Sequence, residues 1–358
     1  AVGHLHLSRP LMLGGGEAVK IFFMISGFYM ALILSRKYRT QTWGGLRRFW
    51  ISRYLRLYPV YVVTLTLSLA WYVIQLFAAN GRTPLPALFQ VTSLMTFAKT
   101  FWLWVINITG FASDIPSLLG IHVSSRSFFL LGHDYSSALN GANPDVIWLG
   151  KAVWVAQFWS VGSELWFYLV APLVFSLPLV GLIGLMVGAW WAGYAWVAVT
   201  GNDTYFFTPY LLFFFLAGVV SYRCLPVFRS FADGLPVLPK ILLYGAPVIW
   251  IICLPSAGVA LPSALNILVA FVSIPALFAI SAKNSFDRGI GDLSYPLYVS
   301  HLLAFAVVAN ISNRLGYAPG AFVYVISVLL AFLVAFLLER LVQAPVEQFR
   351  QRFANVEP

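Results

Sequence analysis

Apolar residues dominate the chain in long uninterrupted runs rather than in alternation. The runs lie near 18–35, 57–79, 164–177, 179–200, 205–223, 241–255, 259–282, 294–313 and 321–343. A helix needs roughly 20 mostly apolar residues to cross about 30 Å of hydrocarbon, and most of these runs meet that length; 164–177 and 241–255 fall short and have soft ends. A barrel strand would alternate apolar-out and polar-in, so the pattern predicts helices. The chain opens Ala1-Val2-Gly3-His4-Leu5-His6 with no initiator Met, which reads as the tail of a further helix mostly absent from the sequence. The expectation is an all-α polytopic membrane protein of about ten transmembrane helices, organised as one membrane domain over 1–358.

The stretch 80–163 breaks the pattern. It is long and punctuated by aromatic residues such as Trp102, Trp104, Phe128 and Trp148, and Lys99 interrupts its most apolar part. We read it as re-entrant or interfacial helices covering the outer face, since irregular backbone at membrane depth needs protein or a water-filled cavity around it.

Composition agrees with this picture. Of 358 residues, 60% are hydrophobic and 9% charged, where a soluble domain carries about 25% charged residues; the mean hydropathy is +0.84. Soluble enzymes, disordered regulators and disulfide scaffolds are excluded. Cys224 and Cys253 have no metal or disulfide spacing, no HxxE or CxxC set exists, and no metal is expected. The net charge of +10 is explained by the bilayer without a nucleic-acid partner: with 36–56 inside, the alternate segments 36–56, 223–240, 283–288 and 340–352 hold 15 of the 22 basic residues, as the positive-inside rule requires. Both termini then fall in the cytoplasm.

Four polar groups stand out from the apolar background. His4 and His6 precede Phe22-Phe23-Met24-Ile25-Ser26-Gly27-Phe28; Arg47-Arg48 precede Arg53-Tyr54-Leu55-Arg56-Leu57-Tyr58-Pro59; Phe158-Trp159-Ser160 leads through Glu164 to Tyr168; and Ser294-Tyr295 leads through Tyr298 to His301. Each residue has a plain reading and a chemical one. A histidine with an unperturbed pKa of about 6.5 takes a proton from a hydroxyl or attacks a thioester, or it simply faces water at the interface. A carboxylate well inside a span costs about 2.5–3.5 kcal/mol and is usually paired; Glu164 is either that or a shallow interfacial group. Arg53 and Arg56 share a helix face and suit phosphate, although topology alone supplies arginines there. Ser26-Gly27 suits close helix approach. The stripe Tyr295, Tyr298, His301 suits a polar lining or an interfacial aromatic belt.

In this order the four groups resemble acyltransferase family 3, bacterial membrane proteins that O-acylate glycans. The matches are Phe22 to Phe28, Arg53 to Tyr61, Trp159 to Leu169 and Ser294 to His301. The family's tandem acidic pair is here Glu164-Leu165, so one carboxylate survives, and no C-terminal hydrolase-like domain is expected. The resemblance implies a multi-pass protein of the bacterial inner membrane. It would move an acyl group, most often acetyl, from acyl-CoA (acetyl-CoA) to a hydroxyl of a surface or exported glycan such as an exopolysaccharide, or of its lipid-linked precursor. His4, or alternatively His6, and Glu164 would be catalytic. Arg47, Arg48, Arg53, Arg56 and Tyr58 would hold the donor. Ser26, Trp159, Ser160, Tyr168, Tyr298 and His301 would line the substrate cavity. A transporter or flippase for a lipid-linked sugar, or transfer of another acyl group such as succinyl, is the alternative.

Overall fold

The computed structural model describes residues 15–36, 42–78, 86–131, 143–236, 263–281 and 284–355, with isolated positions between 238 and 250. The chain is an all-α polytopic membrane protein. Among the described residues six helices are long and apolar enough to cross a membrane, seven when a bent pair counts as one. The first span expected before residue 5 and nearly all of 241–255 lie outside the described residues.

The first described helix, α1, is Gly15–Arg36, and α2 is Trp43–Ala78. At 36 residues α2 is far longer than the apolar run 57–79, because the arginine stretch continues the same helix. Two short helices, α3 (Ala87–Thr92) and α4 (Phe97–Thr109), follow. Then come α5 (Trp159–Ser176), α6 (Leu179–Thr200) and α7 (Thr208–Arg223), which bends by 49° into the short α8 (Leu225–Gly234). The remainder is α9 (Ser263–Ser281), α10 (Ser285–Arg314) and α11 (Ala321–Leu338), the last running through a π-helical turn at Glu339–Gln343 into α12 (Ala344–Asn355).

α5 is the central helix: every residue from Trp159 to Leu165 is buried. α6, by contrast, turns Val180, Trp191, Tyr194 and Val199 outward, the arrangement of a helix solvated by lipid. α1 and α7 pack backbone to backbone. A Cβ on Gly27 would lie 2.8 Å from the Phe215 carbonyl carbon, and one on Gly218 would lie 2.8 Å from that of Met24. Glycine is needed at both positions for the helices to approach this closely.

The stretch 80–163 corrects the expectation of helices alone. Its second half forms a three-stranded antiparallel sheet, β1 (Leu119–His122), β2 (Phe128–Leu130) and β3 (Val146–Trp148), in the order β2-β1-β3. Gly120 pairs with Phe129 on one side and Trp148 on the other. The sheet and the two short helices share a core of Leu88, Val91, Leu103, Ile121, Leu149 and Ala152. Asn107, buried in α4, ties this cap to the approach to α5 by donating to the Ala152 carbonyl (3.1 Å) and accepting from the Trp154 N–H (2.7 Å). Trp102 and Trp104 pack against that core.

Candidate functional site

Glu164 sits in the second turn of α5 and is 4% exposed. Its Oε1 accepts hydrogen bonds from Ser26 Oγ on α1 (2.7 Å) and from the Tyr168 hydroxyl one turn further along α5. Its Oε2 is buried and has no hydrogen-bond partner among the described residues. A buried carboxylate is stabilised only by partners that satisfy it, and Ser26 and Tyr168 do so on one oxygen. The close α1–α7 packing at Gly27 fixes the height of Ser26 beside it.

Two arginines supply the positive field. Arg53 on α2 is 1% exposed, Arg56 is half-buried, and both guanidinium charges act on Glu164 and Tyr168. Arg56 also acts on Tyr295 of α10, whose hydroxyl donates to the Leu57 carbonyl (2.6 Å) and pins α10 to α2. The structure therefore brings together Ser26, Arg53, Arg56, Glu164 and Tyr168 from three separated stretches of sequence. Arg47 is exposed and Arg48 half-buried nearer the start of α2. Tyr58 stacks on Tyr54 with ring centroids 4.7 Å apart.

Ser160, Glu164 and Tyr168 recur every four residues and so share one face of α5. Ser160 Oγ lies 2.6 Å from the Tyr298 hydroxyl, which also donates to the Gln157 carbonyl (3.0 Å), and the Tyr298 ring stacks on Phe22. Tyr298 and Ser160 thus form a second polar layer one turn above Glu164. His301 Nδ1 lies 2.7 Å from the Tyr298 carbonyl oxygen, so that nitrogen carries the proton. Trp159 is buried between Tyr205 and Phe206 and packs the core there. His4 and His6 lie outside the described residues.

Two groups were missed from sequence. Asp114, in the turn after α4, is 3% exposed and accepts from Thr208 Oγ1 (2.6 Å) and Trp166 Nε1 (3.3 Å). Thr208 in turn meets Ser163 Oγ at 2.8 Å. Burial pushes the Asp114 carboxyl above the usual carboxylate range, against the opposing pull of the Thr208 and Trp166 hydrogen bonds. A Cβ on Gly162 would meet the Ser113 and Asp114 amides at 2.8 and 3.1 Å, so glycine admits this turn against α5. The second group is on α12: Arg350, 6% exposed, donates to Ser52 Oγ of α2 (2.8 Å) and to Glu347 Oε2 (2.7 Å). The spacing Glu347-x-x-Arg350 is an i,i+3 pair visible in sequence; its docking beside Arg53 is not.

Among relatives, an uncharacterized protein of Aquifex aeolicus (strain VF5) is 22% identical over 204 residues, covering 54% of this chain and 87% of that protein. No solved structure matches. The family model described as an acyltransferase domain, that of acyltransferase family 3, matches residues 2–340. With nearly the whole chain matched, and a buried carboxylate and arginines set inside a bundle of membrane helices, the protein belongs to acyltransferase family 3 and is a multi-pass membrane acyltransferase.

Proposed function

We propose that the protein transfers an acetyl group from cytoplasmic acetyl-CoA to a hydroxyl of a surface or exported glycan, or of its lipid-linked precursor. It would do so in the bacterial inner membrane with both termini in the cytoplasm. The observation that carries this reading is the buried Glu164, held on one oxygen by Ser26 and Tyr168 and set in the field of Arg53 and Arg56. Membership of the family supports acyl transfer as the reaction.

In this reading the arginines run along α2 from the exposed Arg47 to Arg56, about 14 Å of helix, and receive the donor's phosphates by charge-assisted hydrogen bonds. His4, or His6, takes the acceptor's proton. The acceptor oxygen then bonds to the thioester carbonyl carbon, the carbon–sulfur bond breaks, and the thiolate leaves with a proton returned by the imidazolium. Glu164 would orient a histidine and stabilise its positive form, as an orienting carboxylate does in a triad. Ser160, Tyr298 and His301 form the polar lining past which the acceptor hydroxyl approaches.

The test uses purified protein in nanodiscs, radiolabelled acetyl-CoA and candidate glycans. Label should pass to glycan with wild type and not with His4→Ala or with His6→Ala, whichever position holds the base. Transfer that survives both substitutions would overturn the histidine's role. Vectorial movement of glycan without any acyl transfer would replace the whole reading by transport.

A further inference from the structure

Away from Glu164, the C-terminal ends of α1 and α7 meet at the elbow between α7 and α8, and a cavity of about 530 Å³ opens there. It is lined by Arg36, Tyr222, Arg223, Leu225, Pro226 and Arg229, with no acidic side chain among the described residues. Arg36 lies ten residues beyond Ser26, about 15 Å along α1, so this is a separate place from the candidate active site.

Two of the three arginines have a plain role at a helix end. Arg223 donates to the carbonyls of Phe175 (3.0 Å) and Leu177 (2.5 Å), and Arg36 closes the last turn of α1. Two helix C-termini contribute about −0.5 charge each. Three guanidinium groups exceed that by about +2, more than enough to neutralise the single negative charge of a phosphodiester headgroup. Arg229 lies within α8 and has no helix end to neutralise; its guanidinium stands 6.0 Å from the Phe278 ring. α8 leaves Val227 (72%) and Phe231 (58%) exposed on the face turned away from Arg229, as a helix lying at the membrane surface does. The cavity itself sits where the spans α1 and α7 end, the level of lipid headgroups. A lipid whose headgroup takes the arginines keeps its chains along those spans.

We propose that this cavity binds the phosphate headgroup of an anionic phospholipid. The proposal stands independently of the donor and acceptor assigned above.

Native mass spectrometry of the purified full chain with added phosphatidylglycerol or phosphatidylcholine tests it. The double variant Arg36→Gln/Arg229→Gln keeps Arg223 and its carbonyl bonds. It should weaken phosphatidylglycerol binding roughly thirtyfold, at about fivefold per arginine near an anionic surface, with phosphatidylcholine binding unchanged. Arg36→Lys/Arg229→Lys should recover most of the loss, and its melting temperature verifies folding. Binding of free CoA, measured on the same samples, separates the two sources of phosphate. If the Gln variant loses CoA and keeps phosphatidylglycerol, the cavity serves a soluble phosphate ligand and the proposal is wrong. If neither changes, the arginines only cap helices and the proposal is equally wrong.

Discussion

Replacing Gly27 with alanine tests the packing that sets the height of Ser26. The new methyl group would overlap the Phe215 carbonyl oxygen and sit 2.8 Å from its carbon, at least about 0.6 Å inside ordinary contact. The obstacle is backbone on a facing helix, so no side chain can swing aside and α1 must retreat from α7. Overpacking of this kind costs about 1–3 kcal/mol, and a rigid obstacle puts Gly27→Ala at the upper end. At roughly 2–4 °C per kcal/mol the melting temperature should fall by about 5–10 °C. A retreat of at least about 0.6 Å also stretches the 2.7 Å bond from Ser26 to Glu164 past the usual limit of about 3 Å for such bonds. A misplacement of that order lowers turnover by up to about a hundredfold. Gly218→Ala, on the other side of the same crossing, should behave alike, whereas Gly184→Ala and Gly188→Ala meet nothing within 4 Å and serve as controls. The assays are a thermal melt in detergent and labelled acetyl transfer in nanodiscs. If Gly27→Ala melts and works as wild type does, the two helices are further apart than described and Ser26 is not positioned by them.

Three further outcomes follow from the same geometry. Ser26→Ala keeps the helix crossing and removes one hydrogen bond to a buried carboxylate, so transfer should drop while stability falls by only about 1.5–3 kcal/mol; an unchanged rate would remove Ser26 from the site. Arg53→Lys and Arg53→Ala should weaken CoA binding at least tenfold in calorimetry and Arg47→Ala less than threefold, because a buried guanidinium pairs with phosphate in a way an exposed one does not; equal losses would make the run a topology signal alone. For Asp114 the raised native pKa means that the folded protein keeps a proton the unfolded chain has lost, so stability declines as pH rises from about 3.9 through the raised native value. Asp114→Asn lacks this dependence. The wild-type melting temperature should fall relative to that of Asp114→Asn as pH rises across that window, and parallel curves would contradict the burial argument.

The spans were legible where lipid does the burying. The apolar run 179–200 coincides with α6, because a helix surrounded by hydrocarbon must be apolar throughout. α5 was placed to begin at 164, five residues late, since Trp159, Ser160, Gly162 and Ser163 are buried by protein and need no continuous apolar run. The sheet was not legible: its strands are three or four residues long and depend on pairing partners that periodicity within so short a stretch cannot reveal. Glu164 stood out because a bilayer disfavours it, and the four-residue spacing of Ser160, Glu164 and Tyr168 could have been read as one face. Its partner Ser26 is 138 residues away, and Arg350 reaches Ser52 across 298. Such pairings exist only after the helices pack. Asp114 lies in a short turn whose sequence carries no signal that α5 and α7 will enclose it.

The central claim is that the Glu164 carboxylate serves acyl transfer rather than packing. Glu164→Gln keeps the volume and a hydrogen-bonding end while removing the charge. Label transfer from acetyl-CoA to glycan and CoA affinity, measured on the same nanodisc samples, test the claim most directly. The variant should bind CoA with wild-type affinity and transfer roughly 10²–10⁴-fold more slowly. Transfer at the wild-type rate by a variant without that charge would contradict the account.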